Sequence, residues 1–301
     1  MQLNNLEIKG KRAFQAILGV DNQTFAKLNE VCANSYKATH KETYESRIQY
    51  SPKYKDAKIK TLQELIGFSL MILKGGLTYD FAGFILQFDQ SRAVRQFEKG
   101  LNIIHTALFE EGYLPLRLFD DPEHLKSVIH QTDTIVIDGT EQRIQRPQDY
   151  ETQKLHFSGK KKAHTYKTLI VSDLDKYIYY VSEVHIGKDA EISILKNDFD
   201  PGYDWFDGYK VRVDLGFIGF AKQYPKAQLF IPNKKPRGGE LTEEQKNENR
   251  KLAAERISVE HSIGGMKRYD ILTTQNRIHR MDIYDKIITT CAGLWNLFIT
   301  R

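Results

Sequence analysis

A chain of 301 residues that is 41% hydrophobic and 28% charged has the balance of a globular protein with a full core, which excludes a disordered or fibrous chain and leaves one large domain or two ordinary ones. No apolar run reaches the roughly 20 residues that span a bilayer, and MQLNNLEIKGKR has no apolar stretch to act as a signal peptide, so a cytoplasmic protein with no membrane partner is expected. Cys32 and Cys291 lie far apart without CxxC spacing, which excludes a disulfide framework and a zinc site, and the net charge of +5 is too modest to identify a partner by itself.

The first part of the chain is patterned as helix. A helical stretch near Leu18 to Cys32 has Asp21 as its cap. Leu65, Ile66, Phe68, Leu70, Met71 and Leu73 form an apolar segment that stops at Gly75 and Gly76, the residues expected just past a helix end. Thr78 then caps a short helix carrying Phe81, Ala82, Ile85 and Leu86. A turn follows at 88–90, and Asp89 or Ser91 caps a further helix bearing Ala93, Val94 and Phe97. Short helix, tight turn and second helix over about residues 60–109 make a helix-turn-helix plan, which would turn Gln90, Ser91, Arg92, Arg95 and Gln96 toward DNA bases; an ordinary helical hairpin is the alternative. Asp120, Asp121 and Pro122 begin another short helix. The domain boundary is set at residue 125, giving an all-α domain over 1–125 and an α/β domain over 126–301.

Beyond that boundary the pattern changes. TIVIDGT (134–140) is a continuous apolar run ending in Asp-Gly, as expected of a central strand buried on both faces. Strands are predicted at 165–171, 177–185, 211–215 and 227–231, and Asp189 can cap a helix over 190–196. Thr242 and Gln245 form a capping-box pattern opening a long helix to about Arg268, and 283–299 is a closing apolar helix. Three early strands, then helix, strand, strand and long helix is the order of ribonuclease H-like folds, a mixed sheet flanked by helices.

The positive charge is clustered. Between Gln153 and Lys167 stand Lys154, Lys160, Lys161, Lys162 and Lys167 without an acid; between Lys222 and Gly239 stand Lys222, Lys226, Lys234, Lys235 and Arg237, again without one. Such segments suit a polyanion, or simply solvate two loops.

Cutting a phosphodiester at neutral pH needs an activated water and stabilised charge on the attacking and leaving oxygens. Two hard divalent ions held by carboxylates supply both. Asp138 ends a buried strand, where a carboxylate is costly unless it reaches solvent or a metal. In VRVDLGF, alternation puts Val211, Val213 and Leu215 on one face and Arg212 and Asp214 on the other, with Gly216 allowing close approach. On the long helix, 100° per residue sets Arg256, Glu260 and Lys267 within about 40° of one another beside the stripe of Leu252, Val259, Ile263 and Met266. Asp214 read alone is a solvent-facing strand residue, and Arg256 with Glu260 a routine i,i+4 pair.

DGT, HFSGKKKAHTYK, the HxGxD stretch from His185 to Asp189, VDLGF, RISVEHSIGGMKRYDIL, CAGLWNLFI and LTYDFAGFILQFDQS follow one another along nearly the whole chain. Together they resemble the DDE-class transposases of bacterial insertion sequences related to Harbinger-type elements. The resemblance implies a catalytic, metal-binding triad of Asp138, Asp214 and Glu260, using two Mg²⁺ ions for which Mn²⁺ can substitute. It implies double-stranded DNA as partner, both terminal inverted repeats and target, a homodimer or larger assembly, and a nucleoid-associated place in a prokaryotic cytoplasm. Lys160, Lys161, Lys162, Lys167, Lys234, Lys235 and Arg237 would hold phosphates, and Arg256 and Lys267 would neutralise charge near the cut. Where the family has a His-Asp pair this chain has Lys188 and Asp189. His185 and Asp189 are therefore expected beside the triad, Asp189 competing for the second ligand position or simply capping a helix. A DNA-binding relative without catalysis and a host nuclease are the alternatives; the full set of acids disfavours the first, the helix-turn-helix pattern the second.

Overall fold

A computed structural model describes residues 10–50, 57–236 and 238–300, so the expected phosphate contact Arg237 lies outside the described residues. The chain divides into two compact units, one reaching Leu114 and taking in the chain from Met266 onward, the other Pro115–Gly265.

The first unit is helical, with α1 (Lys11–Leu18), α2 (Asn22–His40), α3 (Tyr44–Tyr50), α4 (Leu62–Gly75), α5 (Tyr79–Leu86) and α6 (Gln90–Glu110). Its helix starts are fixed by local chemistry. Asp21, Thr78 and Asp89 each accept a hydrogen bond from the backbone N–H three residues on, satisfying donors the helix leaves orphaned. Thr61 and Glu64 close a capping box on α4, and Gly76 ends that helix in the left-handed region at φ 55°. Between α5 and α6 the chain folds back so tightly that a Cβ on Gly83 would lie 2.8 Å from the Phe88 carbonyl oxygen. Helix α6 buries Ala93, Phe97, Leu101 and Ile104 and packs against α2, α4 and α5.

These units differ from a division at residue 125. The closing helix, Met281–Ile299, groups with the helical unit and not with the sheet. It buries Ile287, Cys291, Leu294 and Leu297, packs on α6, and the Asn296 amide donates to the Tyr113 carbonyl at 2.9 Å. A helix apolar on most of its circumference needs helices around it, and the helical unit supplies them.

The second unit contains α7 (Pro122–Val128), β1 (Thr134–Arg143), α8 (Tyr150–His156), β2 (Phe157–Ser158), β3 (Ala163–Ser172), β4 (Ile178–Val181), β5 (His185–Ile186), α9 (Glu191–Asp198), β6 (Lys210–Arg212), α10 (Phe220–Gln223), β7 (Gln228–Phe230) and α11 (Glu243–Met266). Strand order is β2-β3-β1-β6-β7, with β4 and β5 also paired to β3. On one side of β1 the pairing is antiparallel to β3; on the other β6, and then β7, run parallel to it. This mixed sheet flanked by helices fits a ribonuclease H-like core. Ile135 and Ile137 of β1 join Leu169, Val171, Ile194, Leu195, Val211 and Phe217 in its apolar cluster.

Three expectations change in detail. Strand β1 does not stop at Asp138, because Gly139 to Arg143 continue the ladder opposite Leu169 to Thr165. The strand expected over 177–185 is split into β4 and β5, and between them the Ser182 hydroxyl takes the hydrogen bond from the Leu169 N–H at 2.8 Å. The long helix opens with the foreseen Thr242–Gln245 reciprocal bonds but ends at Met266, so Lys267 lies in the turn beyond it and not on its face. Among the described residues no helix is long and apolar enough to cross a membrane.

Candidate active site

The parallel register of β1 and β6 sets the two aspartates. Val136 is paired with Arg212, so Asp138 and Asp214 each follow two residues further along neighbouring parallel chains, where paired strands run about 4.8 Å apart. Strand β6 has ended by Asp214. That residue is not on a strand face, as alternation suggested; it caps the single turn Leu215–Phe217, its Oδ1 accepting from the Gly216 N–H at 2.6 Å. Leu215 is accordingly exposed while Arg212 is buried, held to Glu255 of α11 at 2.6 Å.

Asp138 keeps 12% of its side chain exposed, and its Oδ1 accepts from the Gly139 N–H at 2.8 Å. Burial pushes its pKa above the ordinary value, opposed by the Gly139 bond; Asp214's charge pushes the same way as burial, and Arg256 and Lys160 pull down. A carboxylate in this state lacks a close positive partner. The nearest is Arg256 on α11, whose Nη2 stands 3.7 Å from Asp138 Oδ2 and 3.9 Å from Glu260 Oε1. One guanidinium nitrogen therefore links the sheet aspartate to the helix glutamate. Both separations exceed a hydrogen bond, and Arg256 Nε is buried without a hydrogen-bond partner, so the guanidinium is weakly engaged. Glu260 itself is 59% exposed.

A further carboxylate, missed in the sequence, lies at the same place. Glu191 opens α9 and is 7% exposed, between the glycines that follow the two aspartates. A Cβ on Gly139 would lie 2.6 Å from Glu191 Oε1, and one on Gly216 would meet Oε2 closer still. The signal was in the sequence as DG and DLG: a glycine shortly after each aspartate leaves room for something to approach. Burial raises the Glu191 pKa, Lys160 lowers it and Asp214 raises it.

Lys160 closes the group from the β2–β3 turn, with Nζ 3.8 Å from Glu191 Oε1 and 3.9 Å from Asp214 Oδ2. Burial lowers its pKa, but Glu191, Asp214, Asp138 and Glu141 together hold it above the ordinary value. Lys161 and Lys162 are exposed in the same turn, and Lys234 and Lys235 are exposed on the segment after β7. Lys167, expected to hold a phosphate, is buried by β3: its Nζ donates to the Asp189 carbonyl at 2.6 Å and stands 3.9 Å from Glu141. Asp189 is not the helix cap either. Ala190 holds that position with no side-chain bond, while Asp189's carboxylate lies 4.0 Å from His185 Nδ1.

In the helical unit, Gln90 donates to Asp80 at 2.9 Å and Arg92 lies over the Phe88 ring at 4.8 Å, while Ser91 and Arg95 are exposed and Gln96 is half-buried. Lys267 is half-buried.

Among the described residues no three His, Cys, Asp or Glu side chains are close enough together to hold a metal ion. The donor chemistry nevertheless fits a hard divalent ion: Asp138 within β1 and Asp214 just past β6 are oxygen donors at matching positions on neighbouring parallel chains, and an ammonium and a guanidinium lie near them.

A mixed sheet with two aspartates at matching positions on adjacent parallel chains, faced by a helix carrying a glutamate, fits a ribonuclease H-like core. The family described as DDE superfamily endonuclease matches residues 137–296, just over half of the chain, and the chain belongs to that family. It is also 34% identical over 169 residues to the probable transposase for insertion sequence element IS702 of Microchaete diplosiphon, an alignment covering 55% of this chain and 57% of that protein. The chain thus spans little more than half the length of that relative. No solved structure matches the chain at a significant level.

Proposed function

We propose that the chain is a DNA transposase that binds the terminal inverted repeats of its own element, cuts DNA there and joins the released end to a target. The observation that carries this reading is the register of β1 and β6, with Asp138 and Asp214 at equivalent positions and Glu260 tied to Asp138 through Arg256. The motif resemblance to insertion-sequence and Harbinger-type transposases supports the same assignment.

Asp138 and Asp214 would hold a divalent ion between them and Glu260 would complete the set, Mg²⁺ or Mn²⁺ being the hard ions suited to these oxygens. When bound, such ions lower the pKa of attacking water and take up charge on the leaving oxygen, two of them serving both sides of an in-line displacement. The remaining work belongs to the protein's side chains. Lys160 presents an ammonium beside the carboxylates where a phosphate would approach, and Arg256 a second positive charge from the helix side. Lys161, Lys162, Lys234 and Lys235 extend a positive track for the DNA backbone. The turn between α5 and α6, with Ser91, Arg92 and Arg95 at the start of α6, supplies a helix-turn-helix for reading the repeat. Handling two element ends calls for a dimer or larger assembly on DNA, acting in the cytoplasm at the nucleoid.

The test is strand cleavage of a labelled duplex carrying the DNA that flanks the gene, with a gel shift run in parallel. Cutting is expected with Mg²⁺ or Mn²⁺ and little with Ca²⁺, whose looser geometry favours binding over catalysis. Full activity in excess chelator, or no preference for the flanking DNA over random sequence, would overturn the proposal.

A further inference from the structure

Resting on that reading, we infer that Glu191 is a positioning residue, holding the Lys160 ammonium beside the aspartate pair so that it does not collapse onto Asp214. Three observations support this. Glu191 is buried at the first position of α9, and the glycines after both aspartates leave its carboxylate the space that a Cβ would fill. Oε1 lies against Gly139 and Oε2 against Gly216. Lys160 is the opposite case: its side chain is 61% exposed, on a tight turn, with long flexible reach. A fixed anion facing a mobile cation sets where that cation rests. At present the ammonium is shared almost equally, 3.8 Å from Glu191 and 3.9 Å from Asp214.

The division of roles follows from charge. The Glu191 carboxylate gives Lys160 a partner that is not one of the proposed ligands, and Asp214 keeps an oxygen for an incoming cation. When that carboxylate is replaced, as in Glu191→Gln, the ammonium is left to Asp214 and Asp138 and competes for the same oxygens. Glu191 acts through Lys160, and its effect disappears when Lys160 carries no charge.

The measurement is a calorimetric Mn²⁺ titration of the full chain at one fixed pH for wild type, Glu191→Gln, Lys160→Met and the double variant, with strand cleavage assayed alongside. Glu191→Gln is expected to weaken Mn²⁺ binding by about tenfold, a size typical of directly coupled neighbours. In the Lys160→Met background the same change should cost less than about threefold. Gly139→Ala, whose Cβ would displace the Glu191 carboxylate without changing any charge, should reproduce the loss in the Lys160 background only. Thermal unfolding of each variant identifies one that has failed to fold, in which case Gly139→Ala and Glu191→Gln stand in for each other. An equal loss with and without Lys160 would mean that Glu191 acts on the ion directly, and no loss in either background would make it a space filler; both results overturn the inference. Wild type that binds no Mn²⁺ would instead refute the proposed function itself.

Discussion

The two halves of the candidate site are built to different standards. On the sheet side, Asp138 and Asp214 are placed by strand register and by backbone N–H bonds to both, and Glu191 of α9 packs against the glycines that follow them. On the helix side, Glu260 is mostly exposed and has one Arg256 nitrogen at 3.9 Å as its ion-pair partner. The difference teaches that the sheet carries the cost of the site as close, like-charged carboxylates, while the helix presents an exposed carboxylate at little cost.

The largest expected effects erase the difference. Asp138→Asn, Asp214→Asn and Glu260→Gln should each lower the cleavage rate by about a thousandfold or more, roughly 4 kcal/mol of lost transition-state stabilisation, with repeat binding in a gel shift unchanged. If Glu260→Gln cuts nearly as well as wild type, the helix side is not part of the chemistry.

The lysines give the next contrast. Lys167→Met should destabilise the protein by about 1–3 kcal/mol in denaturant unfolding, because it strips the Asp189 carbonyl of its donor and the buried Glu141 carboxylate of its nearby positive charge. Lys161→Ala with Lys162→Ala should leave stability alone and flatten the log-log salt dependence of DNA binding by about 0.9 per lost phosphate contact. A salt slope that changes with Lys167 and not with the exposed pair would reverse the assignment.

The smallest effect separates the acids by stability. In chelator, Asp138→Asn should raise the melting temperature at neutral pH, because burial raises the native pKa of Asp138 above its unfolded value. A group raised in this way contributes stability below its unfolded pKa, about 3.9, and loses it as pH rises through the native value. The gain from asparagine should therefore vanish in acid and grow toward neutrality. Glu260→Gln, on an exposed face, should change stability by less than about 0.5 kcal/mol at neutral pH. Equal melting curves for Asp138→Asn and wild type at neutral pH would remove the claimed cost of the sheet side.

How much of this could be read from the sequence depended on the range of the interaction. Helix starts at Asp21, Thr78, Asp89 and Thr242 were legible because a cap is an interaction across three residues. Most core strands were legible as apolar runs. The expected triad residues could be picked out at a strand end, before a glycine and on a helix edge. What sequence order concealed was long-range. Lys167 sits in a basic run yet faces inward, because β3 pairs it with Glu141 of β1. Asp189 looks like a cap but yields that place to Ala190, as its carbonyl is taken by Lys167. Glu191 gains its meaning only when Gly139 and Gly216 meet it. The closing helix followed the sheet in sequence and grouped with the helices in space.

In the proposed triad the second carboxylate is Asp214, set beside Asp138 by strand register, and not Asp189, which lies against His185. The most direct measurement is cleavage of one labelled repeat by Asp214→Asn and Asp189→Asn side by side, with a gel shift confirming that both bind. Asp214→Asn is expected to bind and not cut, and Asp189→Asn to cut at close to the wild-type rate. Loss of cutting in Asp189→Asn with normal cutting in Asp214→Asn would contradict it.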